Sequence, residues 1–388
     1  MQKVILSSLA LAATVVAQAT PYSITSSCLG NVVFERTSYP TSTTSTAGFA
    51  NLRGGGTTGA DHLYQSRWYY RVAGDPGQAV YNNSATSGLQ PQIISGKGDT
   101  AILNWRNTDG RGFDSQLRQR VYSTGQNDGV LSECMTIRNP STTPLVIDLY
   151  HYVDYDVAGS GGDSANFVGT PAQMEVTDPT TADKMYYLGC RSTNYEVTGF
   201  ATLRGSLGGA AYNMTNTGIP FGPGDFTGGY QWASMTVAPN GELSVYVAHG
   251  FNRQLPCCDV ATIETYCVAK PGTNGLPRWG DNPLYVCGIS ELKILNGLPG
   301  SPPIVFLSAS RSCLPFPPFG TIAVLPVAGN FNMPPFDGTG TSAACLQVPW
   351  NAGLCGVQIY MQAWFGDPGA AGAPLAHTDG ACFTIGSL

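Results

Sequence analysis

Charge is scarce in this chain: Asp, Glu, Lys and Arg make up 11% of its 388 residues, less than half of the roughly 25% usual in soluble domains. Lysine is the rarest of the four, 5 against 14 Arg, and no basic run occurs. With a formal net charge of −6, this excludes nucleic-acid binding, which calls for clustered Lys and Arg. It equally excludes an electrostatic dock onto anionic lipid. Glutamate is short as well, 7 residues against 18 Asp. Glu suits helix interiors, whereas Asp favours caps and turns, so few helices are expected. No i, i+3, i+4, i+7 apolar pattern persists over a dozen residues beyond the N-terminus. With 4 histidines and no G-x-S-x-G, H-E-x-x-H or Walker-type Gly-Lys-Ser/Thr, no reaction is written in the chain.

What the chain does hold is glycine (48) and proline (27), about a fifth of its length and below the roughly 25–30% of low-complexity sequence. Together with 43% hydrophobic residues, this predicts an all-β protein with long loops. Strands are expected over 62–71 and 100–105, with a hairpin joining 116–123 to 130–138 through Asn127-Asp128-Gly129. A second hairpin, 230–237 to 242–249, turns at Asn240-Gly241, a pair suited to turns that need positive φ. Around 255–279 the texture changes to cysteine, proline and glycine, and from Lys270 onward charge nearly vanishes. The expected architecture is two β-sandwich domains: a larger one over 20–255, a linker over 256–280, and a smaller Cys-rich, Ig-like sandwich over 281–388.

Residues 1–19 read as a secretory signal peptide, with Lys3, an apolar stretch from Val4 to Val16, and a cleavage site at Ala17-Gln18-Ala19. The apolar stretch is shorter than the roughly 20 residues of a membrane span, and no later run reaches that length. The expected location is therefore secreted, extracellular or periplasmic. All eleven cysteines follow residue 19, and in an exported chain they read as disulfides. They include none of the paired C-x₂-C spacings of a zinc site. Tyr266-Cys-Val-Ala-Lys270, Gly275, Pro277 and Gln362-Ala-Trp-Phe-Gly-Asp367 resemble a module that closes many exported proteins of planctomycete bacteria. The resemblance covers the last third of the chain. It implies export and a small β-sandwich, and brings no activity.

The segment Leu145 to Val157 carries the chemistry. Read as one strand, its odd positions, His151 among them, go to one face. The even positions place Asp148, Tyr150, Tyr152, Asp154 and Asp156 on the other. Rings beside carboxylates suit a sugar, which needs a flat surface to stack on and acceptors for its hydroxyls. Asp148, Tyr150, Tyr152 and Asp154 are therefore the candidate glycan-binding residues. The ordinary alternative is a solvated face whose aspartates meet Arg118 and Arg120 on a neighbouring strand. Asp154-x-Asp156-x-x-Gly159, with Asp163, begins like a calcium loop. It departs from the EF-hand pattern at Ala158 and Ala165, so Asp154, Asp156 and Asp163 are candidate Ca2+ ligands of a partial motif. Asp154 and Asp156 could alternatively serve a glycoside hydrolase as acid and base, with His151 beside them. His151, on the apolar face, more simply reads as a buried, hydrogen-bonded histidine. The leading expectation is a non-enzymatic extracellular β-protein with an adhesive, structural or carbohydrate-binding role.

Overall fold

The computed structural model describes residues 21–386 apart from 27, 44, 82–91, 94–97, 160, 171, 256–260, 282, 286–288 and 349–351. The expected signal segment and Cys257, Cys258 and Cys287 lie outside the described residues. The chain is all-β, as its composition predicts. Among the described residues the single α-helix is Thr202–Gly208.

Two sheets face each other in the N-terminal domain. The larger runs, edge to edge, through Phe221–Gly224, Asp163–Val168, Gln173–Thr177, Lys184–Cys190, Glu242–Phe251, Gly129–Arg138, Asp114–Ser123, Thr100–Trp105 and Gln92–Ile93. The smaller runs through Asn194–Gly199, Phe226–Val237, Leu145–Tyr155, Gln65–Val72 and Ala79–Val80. Period-two alternation sets the inward faces: Ser115, Leu117, Gln119 and Val121 are buried, while Asp114, Gln116 and Arg118 are turned outward. The hairpin around Asn127-Asp128-Gly129 forms in register, from Asp114 opposite Arg138 to Ser123 opposite Gly129.

The hairpin expected at Asn240-Gly241 does not form. Its strands and its turn are present, with Asn240 at φ 54°, but the two strands lie in different sheets. Phe226–Val237 pairs along its length with Leu145–Tyr155 and, over 226–231, with Asn194–Gly199. Glu242–Phe251 pairs along its length with Gly129–Arg138 and, over 246–251, with Lys184–Cys190. Each strand is claimed by a different sheet, and the turn carries the chain across the sandwich.

The C-terminal module starts inside the expected linker. Thr262–Tyr266 pairs with Gly380–Thr384 and Arg278–Trp279 with Ile289–Leu295, so both belong to its sheets. Its core gathers Trp279, Val305, Met361, Ala363, Phe365 and Phe383. Disulfide bonds join Cys267 to Cys313 within the module and Cys28 to Cys345 between the two domains. Between the same two parts, Tyr285 stacks on Tyr122 with ring centroids 5.0 Å apart and accepts a hydrogen bond from Arg120. No helix among the described residues is long and apolar enough to cross a membrane.

Candidate metal centre at the sheet crossing

The smaller sheet hands the chain to the larger one at the end of Leu145–Tyr155. Asp156 follows that strand, and a tight turn with Ala158 at φ 55° and Gly159 at φ 79° leads to Asp163, the first residue of its strand in the larger sheet. The chain returns between Phe221–Gly224 and Phe226–Val237, and Asp225 is the residue between them. Gly222 makes the return crossing close: its φ is +98°, and a Cβ there would lie 2.3 Å from the Asp163 carbonyl oxygen. Two crossings in opposite directions thus bring carboxylates from both layers to one spot. One oxygen from each of Asp154, Asp156 and Asp225 lies within 4.8 Å of the others. Two oxygens bound to one Ca2+ at about 2.4 Å can be no more than about 4.8 Å apart, so the three fit a single hard cation.

These carboxylates are short of partners. Asp154 is fully buried; one oxygen accepts a 3.4 Å bond from the Tyr152 hydroxyl and the other accepts none. Asp163 is fully buried too, and neither of its oxygens has a hydrogen-bond partner, nor does Oδ1 of Asp225. Burial, with the charges of Asp156 and Asp225, pushes Asp154 up to about 8. Asp163 reaches about 8, chiefly through burial, with Asp156, Asp178 and Asp225 adding and the nearby Val157 N–H dipole, short of hydrogen-bond geometry, acting the other way. Burial and the charges of Asp225 and Asp61 lift Asp156 to about 6, and burial raises Asp225. An enclosed carboxylate without hydrogen bonds or a counter-charge is costly. A divalent cation supplies that charge.

Of the three calcium candidates read from the sequence, Asp154 and Asp156 therefore converge, while Asp163 is not one of the three carboxylates within ligand distance. Asp225, which the sequence reading missed, joins the pair from about seventy residues away; its only local signal is the Gly-Pro-Gly that precedes it. The arrangement is no EF-hand, because its oxygens come from two crossings rather than one loop.

The glycan face fares differently, because both sides of Leu145–Tyr155 are covered. Tyr150 and Tyr152 are fully buried in a cluster with Tyr69, Val80, Leu203, Leu207 and Met214. The cover is the Thr202–Gly208 helix and the loop after it. Glu196 pins that loop, accepting from the Tyr212 hydroxyl at 2.6 Å and the Thr215 N–H at 3.1 Å. Asp148 accepts from Arg71 Nε at 2.9 Å and from the Ser234 N–H at 2.6 Å, where a bulge interrupts the strand register. These residues form an inner layer with no ring free to stack on a sugar. Arg118 and Arg120 are not their partners: both stand on Asp114–Ser123 in the other sheet, and Arg120 pairs with Asp99.

Nor does an acid/base centre assemble. His151 points away from Asp154 and Asp156 into the space between the sheets, where Nδ1 lies 2.8 Å from the Tyr187 hydroxyl. The oxygens of Asp154 and Asp156 are close enough for a glycosidase pair, but the enclosure of Asp154 leaves no room beside it for a sugar ring.

The chain matches no family model and no curated protein. Among solved structures it is similar to a bacterial glucoamylase complexed with acarbose, at a TM-score of 0.39 and 10% identity, covering 61% of this chain and 32% of that one. It therefore spans about a third of the glucoamylase chain. A putative aldose 1-epimerase from Escherichia coli K12 aligns at a TM-score of 0.39 and 8% identity, covering 60% of this chain and 98% of that one. A galactose mutarotase related enzyme from Lactobacillus acidophilus aligns at 0.36 and 8%, with coverages of 60% and 97%.

Proposed function

We propose that this chain is a non-catalytic β-protein working outside the cytoplasm, with an N-terminal sandwich locked by Ca2+ at Asp154, Asp156 and Asp225. The convergence of these three carboxylates within 4.8 Å, with an oxygen of Asp154 and one of Asp225 unpartnered, carries this reading. A hard, oxygen-liking ion suits an all-carboxylate set. Extracellular calcium is the common source of such an ion, and the two disulfides fit an oxidising compartment. Bound there, the ion would tie both crossings and fix the angle between the sheets. At a calcium concentration 100 times its Kd it would stabilise the fold by about 2.7 kcal/mol, or roughly 5–10 °C in Tm for a domain of this size. Calorimetry with added Ca2+ and with EGTA tests this. An unchanged Tm in both overturns it, and Asp225→Asn is expected to remove the response.

A second reading keeps the glycan partner but moves its site. A recess of about 190 Å³ opens on the outer face of the larger sheet, beside the C-terminal module, lined by Gln116, Arg118, Thr136, Ser244, Tyr246 and Tyr285 among others. Its donors, acceptors and rings are what a monosaccharide unit asks for. Titration calorimetry against a panel of mono- and oligosaccharides is expected to show binding that Arg118→Ala abolishes. A panel without a single binder removes this reading.

A further inference from the structure

Between the two sheets, far from solvent, the molecule encloses Glu133, His151 and His249, all fully buried. Glu133 and His249 stand on the paired strands Gly129–Arg138 and Glu242–Phe251, and His151 faces them from the smaller sheet. Both imidazoles turn Nε2 toward the same carboxylate oxygen: His249 at 3.3 Å and His151 at 3.7 Å from Glu133 Oε1. The three ligand atoms lie within 4.8 Å of one another. We propose that these three side chains bind one borderline divalent transition metal, Zn2+ being the best fit, in a closed structural site.

Three features carry the assignment. The first is spacing. Two ligands about 2.1 Å from a tetrahedral zinc ion stand about 3.4 Å apart, and the observed separations straddle that value. The second is tautomer. Tyr187 donates its hydroxyl proton to the His151 carbonyl at 3.2 Å, so at 2.8 Å it accepts from Nδ1–H of His151. This leaves the Nε2 lone pair aimed at Glu133. The Tyr155 hydroxyl lies 2.6 Å from His249 Nδ1, close enough to accept from an Nδ1–H there. A hydrogen-bonded far nitrogen is the usual support of a metal-binding imidazole.

The third feature is an orphan: Nε2 of His249 has no hydrogen-bond partner, an expensive condition for an enclosed nitrogen. Trp68 Nε1 occupies the other oxygen of Glu133 at 2.7 Å, so the carboxylate offers one ligand atom. Ser66 Oγ, 3.2 Å from both Glu133 Oε1 and His151 Nε2, is placed to fill a fourth position. Nitrogen ligands reject hard calcium and suit zinc, so this centre is chemically separate from the aspartate crossing. Full enclosure by Trp68, Tyr155 and Tyr187 assigns it to structure rather than catalysis.

The test is the metal content of the full chain. With its disulfides intact, the protein is refolded from denaturant in Zn2+ or Co2+, dialysed, and analysed by plasma mass spectrometry and visible absorption. One equivalent of zinc is expected, with cobalt d–d bands that lack a thiolate charge-transfer band. His249→Gln and Glu133→Gln are expected to lose the metal while the aspartate crossing keeps its EGTA-sensitive calcium. Tyr155→Phe is expected to weaken zinc about 10–100-fold. Wild-type protein that retains no zinc overturns the proposal, and so does cobalt whose spectrum reports sulfur ligands.

Discussion

Asp163 in the N-terminal sandwich and Asp367 in the C-terminal module are equally hidden from solvent, both fully buried, yet their carboxyls are displaced in opposite directions. Around Asp367 burial works upward, but the Thr273 N–H at 2.7 Å, the Thr273 hydroxyl at 2.6 Å and the Gly369 N–H at 3.0 Å outweigh it and leave the group lowered. Asp163 has neighbours of its own sign and no hydrogen-bond partner, and it is raised to about 8. Burial sets the stakes, and the partners decide the sign. The module follows the same economy elsewhere: its buried Lys270 donates to the carbonyls of Pro318 and Ala373, and Cys267–Cys313 closes its edge. The sandwich instead concentrates uncompensated charge at two points where a metal ion would complete it.

The largest expected effect is on the pH dependence of the calcium-free protein. A carboxyl raised above its unfolded value stabilises the fold fully below about pH 4 and loses that contribution as pH rises through the folded value. For Asp154, raised from 3.8 to about 8, the loss is about 6 kcal/mol between those limits. Urea unfolding in EGTA should therefore show the sandwich weakening from pH 4 to 8, with calcium flattening the slope. Asp367, being lowered, weakens the module only toward acid. A sandwich that does not weaken between pH 4 and 8 breaks the comparison.

Next comes the covered tyrosine layer. Leu203→Ala removes a fully buried side chain that packs the helix onto Tyr150 and Tyr152, and is expected to cost about 2–5 kcal/mol. A cost below about 1 kcal/mol would mean that the helix lifts away easily and that the tyrosines are reachable after all.

Asparagine at the two contrasting positions gives a smaller effect of opposite sign. Asp367→Asn leaves its donors poorly matched and should cost about 1–3 kcal/mol, whereas Asp163→Asn removes repulsion and should stabilise the calcium-free protein at pH 8. Equal signs at both sites would sink the explanation given for their difference. The smallest effect is at the surface: Arg138 and Glu242 form an ion pair with about 60% of each side chain exposed, and Arg138→Ala should change stability by no more than about 1 kcal/mol.

Much of this was legible in the chain before any coordinates. Alternation located the strands around 100–105, 116–123 and 130–138, and Asp154, Asp156 and Asp163 stood out as a partial calcium motif. The failures share one cause. Alternation says which side chains lie on opposite faces of a strand, but not what lands on each face. Tyr150 and Tyr152 resemble a solvent platform until a seven-residue helix some fifty positions later is laid over them. Asn240-Gly241 promises a hairpin because a turn signal is blind to the other strands that draw its two flanks into different sheets.

Strand content and the inventory of carboxylates, imidazoles and cysteines belong to the primary structure, because backbone propensity and residue type are local properties. Bringing Asp225 to Asp154, or Glu133 and His249 to His151, is the work of sheets that cross and face one another. Ligand geometry of this kind depends on distances between residues far apart in the chain, and only packing sets those.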